Sequence, residues 1–189
     1  EKFYRVDPHA TRMFFAPTAR QLKGGRGYFA NYYIFFSSVA YGMTDVFSLA
    51  GGMSTIPGLS ITEQLFYFMP KVTFELSDRS GVAAGLMHLN LFTDAESFTL
   101  GYGVGTFGQE NALTIGAGMP IGQDESSPII LLGGEVQLSN RSKLITENWF
   151  FTGGGDMPSF ISAGIRFFGD RMAVDLAFFT SPEFLGNSG

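Results

Sequence analysis

Between Phe66 and Ser77 the chain alternates with period two. Phe66, Phe68, Pro70, Val72, Phe74 and Leu76 fall on one face, and Tyr67, Met69, Lys71, Thr73, Glu75 and Ser77 on the other. Successive side chains of a strand point to opposite sides, so this stretch predicts a strand with one large apolar face. The same logic is read over the next strands. Phe98, Leu100, Tyr102 and Val104 oppose Thr99, Gly101, Gly103 and Gly105, and Leu113, Ile115, Ala117, Met119 and Ile121 oppose Thr114, Gly116 and Gly118. Ile130, Leu132, Val136 and Leu138 oppose Gly133, Glu135, Gln137 and Ser139. Ile161, Ala163, Ile165 and Phe167 oppose Ser162, Gly164 and Arg166, and Met172, Val174, Leu176 and Phe178 oppose Ala173, Asp175 and Ala177.

Elsewhere the pattern is looser. Residues 1–10 are polar and irregular and are expected as an N-terminal arm, with the first strand over residues 11–22. Residues 27–43 are expected as one long second strand with a bulge near Ser37 and Ser38, or with a part that extends beyond the bilayer, because Tyr32, Tyr33, Ile34, Phe35 and Phe36 break the alternation. Residues 46–54 give a third strand. Residues 80–92 give a fifth that changes phase, Val82, Ala84 and Leu86 leading one face and Leu89 and Leu91 the other. Residues 143–151 give an ambiguous ninth. The expected total is eleven strands within residues 11–183, leaving 184–189 as an outer loop or a truncated end.

Polar turns at Asp45, Asp78, Glu110, Asn140 and Asp170 recur roughly every 30 residues, and longer connections fall between them at 57–63, 93–96, 122–128 and 152–158. Two strands of about ten residues per period, with short turns alternating with longer loops, is the arithmetic of an antiparallel up-and-down transmembrane β-barrel. Eleven strands leave the chain on the long-loop side, so about twelve are expected, the last one missing or donated by a partner.

Composition narrows the solvent. Only 15% of the 189 residues are charged, against 15% aromatic, with 21 Phe and one Trp. A net charge of −5 excludes a basic stripe for nucleic acid, and the absence of cysteine removes disulfides and thiolate metal sites. No run approaches 18 uninterrupted apolar residues, so no transmembrane helix is expected. The opening on Glu1, with no signal peptide, suggests a processed or trimmed chain. A soluble barrel carrying an apolar ligand would put large residues inside and charges outside. Here the large apolar face carries almost no charge, the opposite face is too small to make a core, and aromatics gather near strand ends, as at Tyr41, Phe92, Trp149, Phe150, Phe151 and Phe179. Lipid outside and a small polar lumen inside fit better.

The stretches Ala10-Thr11-Arg12-Met13-Phe14-Phe15-Ala16-Pro17-Thr18, Tyr41-Gly42-Met43-Thr44-Asp45, Pro70-Lys71-Val72, Tyr102-Gly103-Val104-Gly105-Thr106-Phe107-Gly108 and Leu144-Ile145-Thr146-Glu147-Asn148-Trp149-Phe150-Phe151 carry a resemblance. The chain resembles outer-membrane β-barrel proteins of Gram-negative bacteria, and in particular an uncharacterised Bacteroidetes-type barrel family. The resemblance implies a barrel fold and an outer-membrane location, and no activity.

The inward set collects charges of both signs: Lys71, Glu75, Glu135, Arg166 and Asp175, with Arg12, Arg20, Lys143 and Glu147 as further candidates. A selective pore would favour one sign, whereas mixed charges in a narrow space must pair, so a lumen network that plugs the barrel is expected. His88 could be joined on paper to Ser80, Ser97 or Glu96 as a hydrolase triad, but no Gly-x-Ser-x-Gly elbow is present, and no enzyme is expected. The glycines at 101, 103 and 105 lack the following helix of a dinucleotide site. Asp124, Glu125 and Asp156 are read as solvated loop charge rather than a calcium site. No cofactor and no metal are expected. The expected role is a narrow or plugged barrel that anchors or scaffolds part of the cell envelope. The alternatives are a passive channel or transporter for small solutes and an outer-membrane lipid-modifying enzyme. Expected partners are the lipid bilayer and other envelope proteins or a strand-donating chain.

Overall fold

The computed structural model describes residues 7–32, 35–90, 97–122, 127–153 and 159–181. Eleven strands form one antiparallel sheet in chain order: β1 (Gly27–Tyr32), β2 (Phe36–Gly42), β3 (Phe47–Ser54), β4 (Phe66–Ser77), β5 (Ser80–Asn90), β6 (Phe98–Gly108), β7 (Ala112–Ile121), β8 (Ile129–Ser139), β9 (Ser142–Phe151), β10 (Phe160–Phe168) and β11 (Ala173–Thr180). The only helix among the described residues is a short turn, Ile61–Glu63, where the Glu63 carboxylate accepts a hydrogen bond from the Ser60 N–H. No helix there is long and apolar enough to cross a membrane. β1 pairs with β2 and β11 with β10, and among the described residues the sheet is not closed between β1 and β11.

The strand total is as expected, but its first members differ. Residues 11–22 form no strand beyond an isolated bridge between Arg12 and Pro17. Pro8 and Pro17 lack donors, and the backbone spends its groups on tight turns: Ala10 N–H to Asp7 O, Arg12 N–H to His9 O, Met13 N–H to Ala16 O. The expected long strand over residues 27–43 is instead a hairpin, β1 turning back into β2 with Tyr32 opposite Phe36. The run of large residues that broke the alternation spans the hairpin tip, so Tyr32 and Phe36 both face inward with ring centroids 6.0 Å apart. Tyr33 and Ile34 lie outside the described residues, as do Leu91, Phe92, the 1–6 part of the expected arm and residues 184–189.

Segment 7–22 is the core. It is touched by Tyr28 of β1, Lys71 of β4, Thr106 of β6, Glu135 of β8, Glu147 of β9, Arg166 of β10 and Asp175 of β11. One short segment can meet seven strands only because the sheet wraps around it. Met13, Phe14, Ala16 and Ala19 pack with Ala83, Val104, Leu131 and Ile145. The small inward residues make room for it. At Gly133 a Cβ would collide with the Met13 side chain, and at Gly81 it would lie 2.6 Å from the Ala19 carbonyl oxygen.

The outer face is as the alternation predicts on most strands: Phe74 of β4 is 57% exposed, Leu138 of β8 56% and Phe178 of β11 72%, while Thr73, Glu135 and Arg166 on the other side are buried. β6 is inverted. Leu100 and Val104 are buried and Tyr102 also lines the interior, while Gly101, Gly103 and Gly105 take the outer side. Inward Leu100 and Val104 fit over Gly118 and Gly116 of β7, where any Cβ would overlap them, and on the outside Ile121 and Phe107 lie against Gly101 and Gly105. In β5 the expected change of phase involves no slip. The pairing with β6 is continuous from Ser80 to Leu89, and the apolar residues simply move from the outer face (Val82, Leu86) to the inner one (Met87, Leu89).

Candidate functional site

The interior charges form one alternating chain. Arg20 pairs with Glu135 at 2.5 Å, Glu135 with Lys143 at 2.8 Å, and Lys143 with Asp7 at 2.8 Å. Asp7 then pairs with Arg166 at 3.0 Å, Arg166 with Asp175 at 2.6 Å, and Asp175 with Arg12 at 3.1 Å. Segment 7–22 supplies Asp7, Arg12 and Arg20; the sheet supplies the rest. Period two fixes this geometry, since Glu135, Lys143, Arg166 and Asp175 each sit at an inward position of its strand. Ions removed from water are tolerable only when paired and hydrogen-bonded, and each member here has a partner of opposite sign.

Two further inward charges grip the segment's backbone. The Glu147 carboxylate accepts from the N–H groups of Phe14, Phe15 and Ala16 at 2.8, 2.9 and 3.1 Å, and from Trp149 Nε1 at 2.7 Å. Lys71 Nζ donates to the carbonyls of Thr11, Thr18 and Arg20 at 3.3, 2.9 and 3.1 Å. Arg166 adds bonds to the carbonyls of His9, Arg12 and Met13. These three side chains satisfy nine backbone groups of a segment that has almost no ladder of its own.

Burial would raise the pKa of Asp7, but Arg166 and Lys143 outweigh it and hold its carboxyl down at about 2. His9 is pushed down to about 4, first by burial and then by the cations Arg12 and Arg166, so its imidazole is neutral near pH 7. It lies beside the Tyr28 ring at 4.6 Å between centroids, and its Nδ1 is 2.9 Å from the Arg12 guanidinium.

Of the charges singled out in the sequence, Lys71, Glu135, Lys143, Glu147, Arg166 and Asp175 meet the segment, which itself carries Arg12 and Arg20. Glu75 does not join them. It is exposed and lines a polar vestibule of about 620 Å³ at the short-turn end, with Asp78, Arg79 and Glu110. Compared with protein-family models, curated proteins and solved structures, the chain finds no match. His88 sits on the outer face, its Nδ1 2.9 Å from the Thr99 hydroxyl, while Ser80 lies at the other end of β5 bonded to Ser77. Asp124, Glu125, Asp156 and Glu96 lie outside the described residues, among which no metal-ligating cluster is found.

The network residues that the sequence did not reveal are Asp7 and His9. They fall in the stretch read as an arm, and their signal was indirect. An inward face this small calls for something to fill the interior.

Proposed function

We propose that the chain is an outer-membrane β-barrel whose lumen is filled by its own segment 7–22, and that it serves as a structural or anchoring part of the cell envelope rather than as an open pore. The observation that carries this reading is the contrast between the two faces of the sheet. Phe29, Phe68, Phe74, Leu113, Ile115, Leu138, Leu176 and Phe178 are among the exposed outward residues, while buried Glu135, Lys143, Glu147 and Arg166 look inward. A face this apolar and continuous is costly in water and matched to hydrocarbon. The resemblance to Bacteroidetes-type barrels supports the same compartment.

The direction of the edges supports closure by one further strand. With eleven alternating strands, β1 and β11 run the same way, so a single strand antiparallel to both completes an even-numbered barrel of twelve. Within lipid the unpaired backbone groups of both edges require such a partner, from this polypeptide or from a neighbour. The Phe15 ring lies 5.0 Å from Tyr32 of β1 and 5.8 Å from Phe179 of β11, so one side chain of the segment stands between the inward rings of both edges.

Extraction tests the membrane reading: the chain should leave membranes only with detergent, and a soluble monomer without detergent would refute it. Planar-bilayer recording tests the plug. No stable large conductance is expected from the intact chain, and a steady porin-sized pore would favour a passive channel instead.

A further inference from the structure

The interior is not filled evenly. Between segment 7–22 and the inner faces of β1–β6 lies a cavity of about 430 Å³, within the range of ligand sites in proteins. Its wall is largely apolar, with Phe36, Leu65, Met69, Met87 and Leu89 among the lining residues. Interiors are normally packed to crystal density, so an apolar void of this size lacks the atoms that would complete its contacts. Polar groups on the wall are few. Its two charges are Arg12 and Lys71, both cationic, and no carboxylate lines it.

Arg12 is already paired, its guanidinium lying 3.1 Å from the Asp175 carboxylate. The Lys71 ammonium already holds three carbonyls, and no carboxylate among the described residues pairs with it.

We propose that this cavity binds a single-chain amphiphile of the fatty-acid class, its tail among Met69, Met87, Leu89 and Phe36 and its carboxylate beside Lys71. An apolar wall selects the tail, and Lys71, a cation on that wall with no carboxylate partner among the described residues, selects the negative head. The change of phase in β5 and the inversion of β6 belong to this site. The first turns Met87 and Leu89 to its wall, and the second adds Tyr102, which also packs against the core around segment 7–22. The site depends on the fold and not on the membrane reading.

The test is saturable binding of radiolabelled palmitate to the full chain in phosphatidylcholine nanodiscs, with methyl palmitate as competitor. About one palmitate per chain is expected, with the ester competing at least about tenfold more weakly. Ala50→Phe, which fills the cavity from β3, should abolish uptake, and the outward control Leu138→Phe should leave it unchanged. No saturable uptake by the unaltered chain, equal competition by the ester, or full uptake by a folded Ala50→Phe chain each overturns the proposal. The ester comparison uses the unaltered protein, so it stands even if a variant misfolds. If the chain proves soluble, the same assay in buffer still decides the cavity, which separates its failure from that of the barrel reading.

Discussion

On the side of β8–β11, segment 7–22 is held by ions: Glu135, Lys143, Glu147, Arg166 and Asp175 each bond to it or to a residue that does. On the side of β1–β5 the same segment faces an apolar cavity, and Lys71 is the one charged strand residue on that wall. The first wall is directional, because each carbonyl, N–H and carboxylate has a fixed mate. The second is adaptable, because methionine and aromatic side chains accept many shapes. One interior thus combines a clamp that sets the segment's position with a space whose content can vary.

The comparison breaks most readily at Arg166. Its side chain is fully buried and bonds Asp7, Asp175 and three carbonyls, so Arg166→Met leaves two carboxylates short of their main partner. A loss of roughly 3–5 kcal/mol is expected in guanidinium unfolding, and a loss under about 1 kcal/mol would show that the clamp does not hold the segment. Glu147→Ala is the next largest. It orphans the N–H groups of Phe14, Phe15 and Ala16, at about 1–3 kcal/mol, and should expose residues 7–22 to protease and raise bilayer conductance.

Acid probes the same clamp more gently. His9 titrates at about 4 in the fold against 6.5 when free, so the unfolded chain binds the extra proton first. The contribution of neutral His9 is therefore complete above 6.5 and lost as pH falls through that window to about 4. Arg12 and Arg166 oppose its protonation, while Asp7 and Asp175 favour it. Asp7 holds until lower pH, its share disappearing between 3.8 and about 2. Unfolding midpoints should fall across the upper window in the unaltered chain and stay flatter in His9→Gln. The smallest effect belongs to the other wall: Ala50→Leu, directed into the cavity, should change stability by under about 1 kcal/mol, because the new methyl groups enter space rather than displace atoms.

The sheet was legible because period two survives in most strands. Phe74, Leu138 and Phe178 were placed on the outer face by spacing alone. β6 was not, because with glycine on the outside and Leu100, Tyr102 and Val104 within, the alternation is equally clean in either sense, and only the pairing with β7 decides it. The plug was illegible as a plug. Residues 11–22 carry enough apolar character to pass for a strand, and what forbids it is spread across β4, β9 and β10, in the side chains that take its backbone groups. Lys71, Glu135, Arg166 and Asp175 could be named as inward, but Asp7 and His9, which Arg166 holds, sit far earlier in the chain. Local pattern does not reach that far.

The bond from Arg12 to Asp175 joins positions 163 apart in sequence, and that from Arg166 to Asp7 positions 159 apart. Asp7 and Arg12, which precede every strand of the sheet, therefore find these mates only when β10 and β11 have arrived. Contacts of such separation carry the largest loop-closure cost and form late. Through most of assembly the growing sheet must stand without its centre, and docking of the N-terminal segment is expected as the concluding, slowest phase of refolding. That segment acts as a latch on completion, and a chain arrested before β10 would be left with a ready thread and nothing to fasten it.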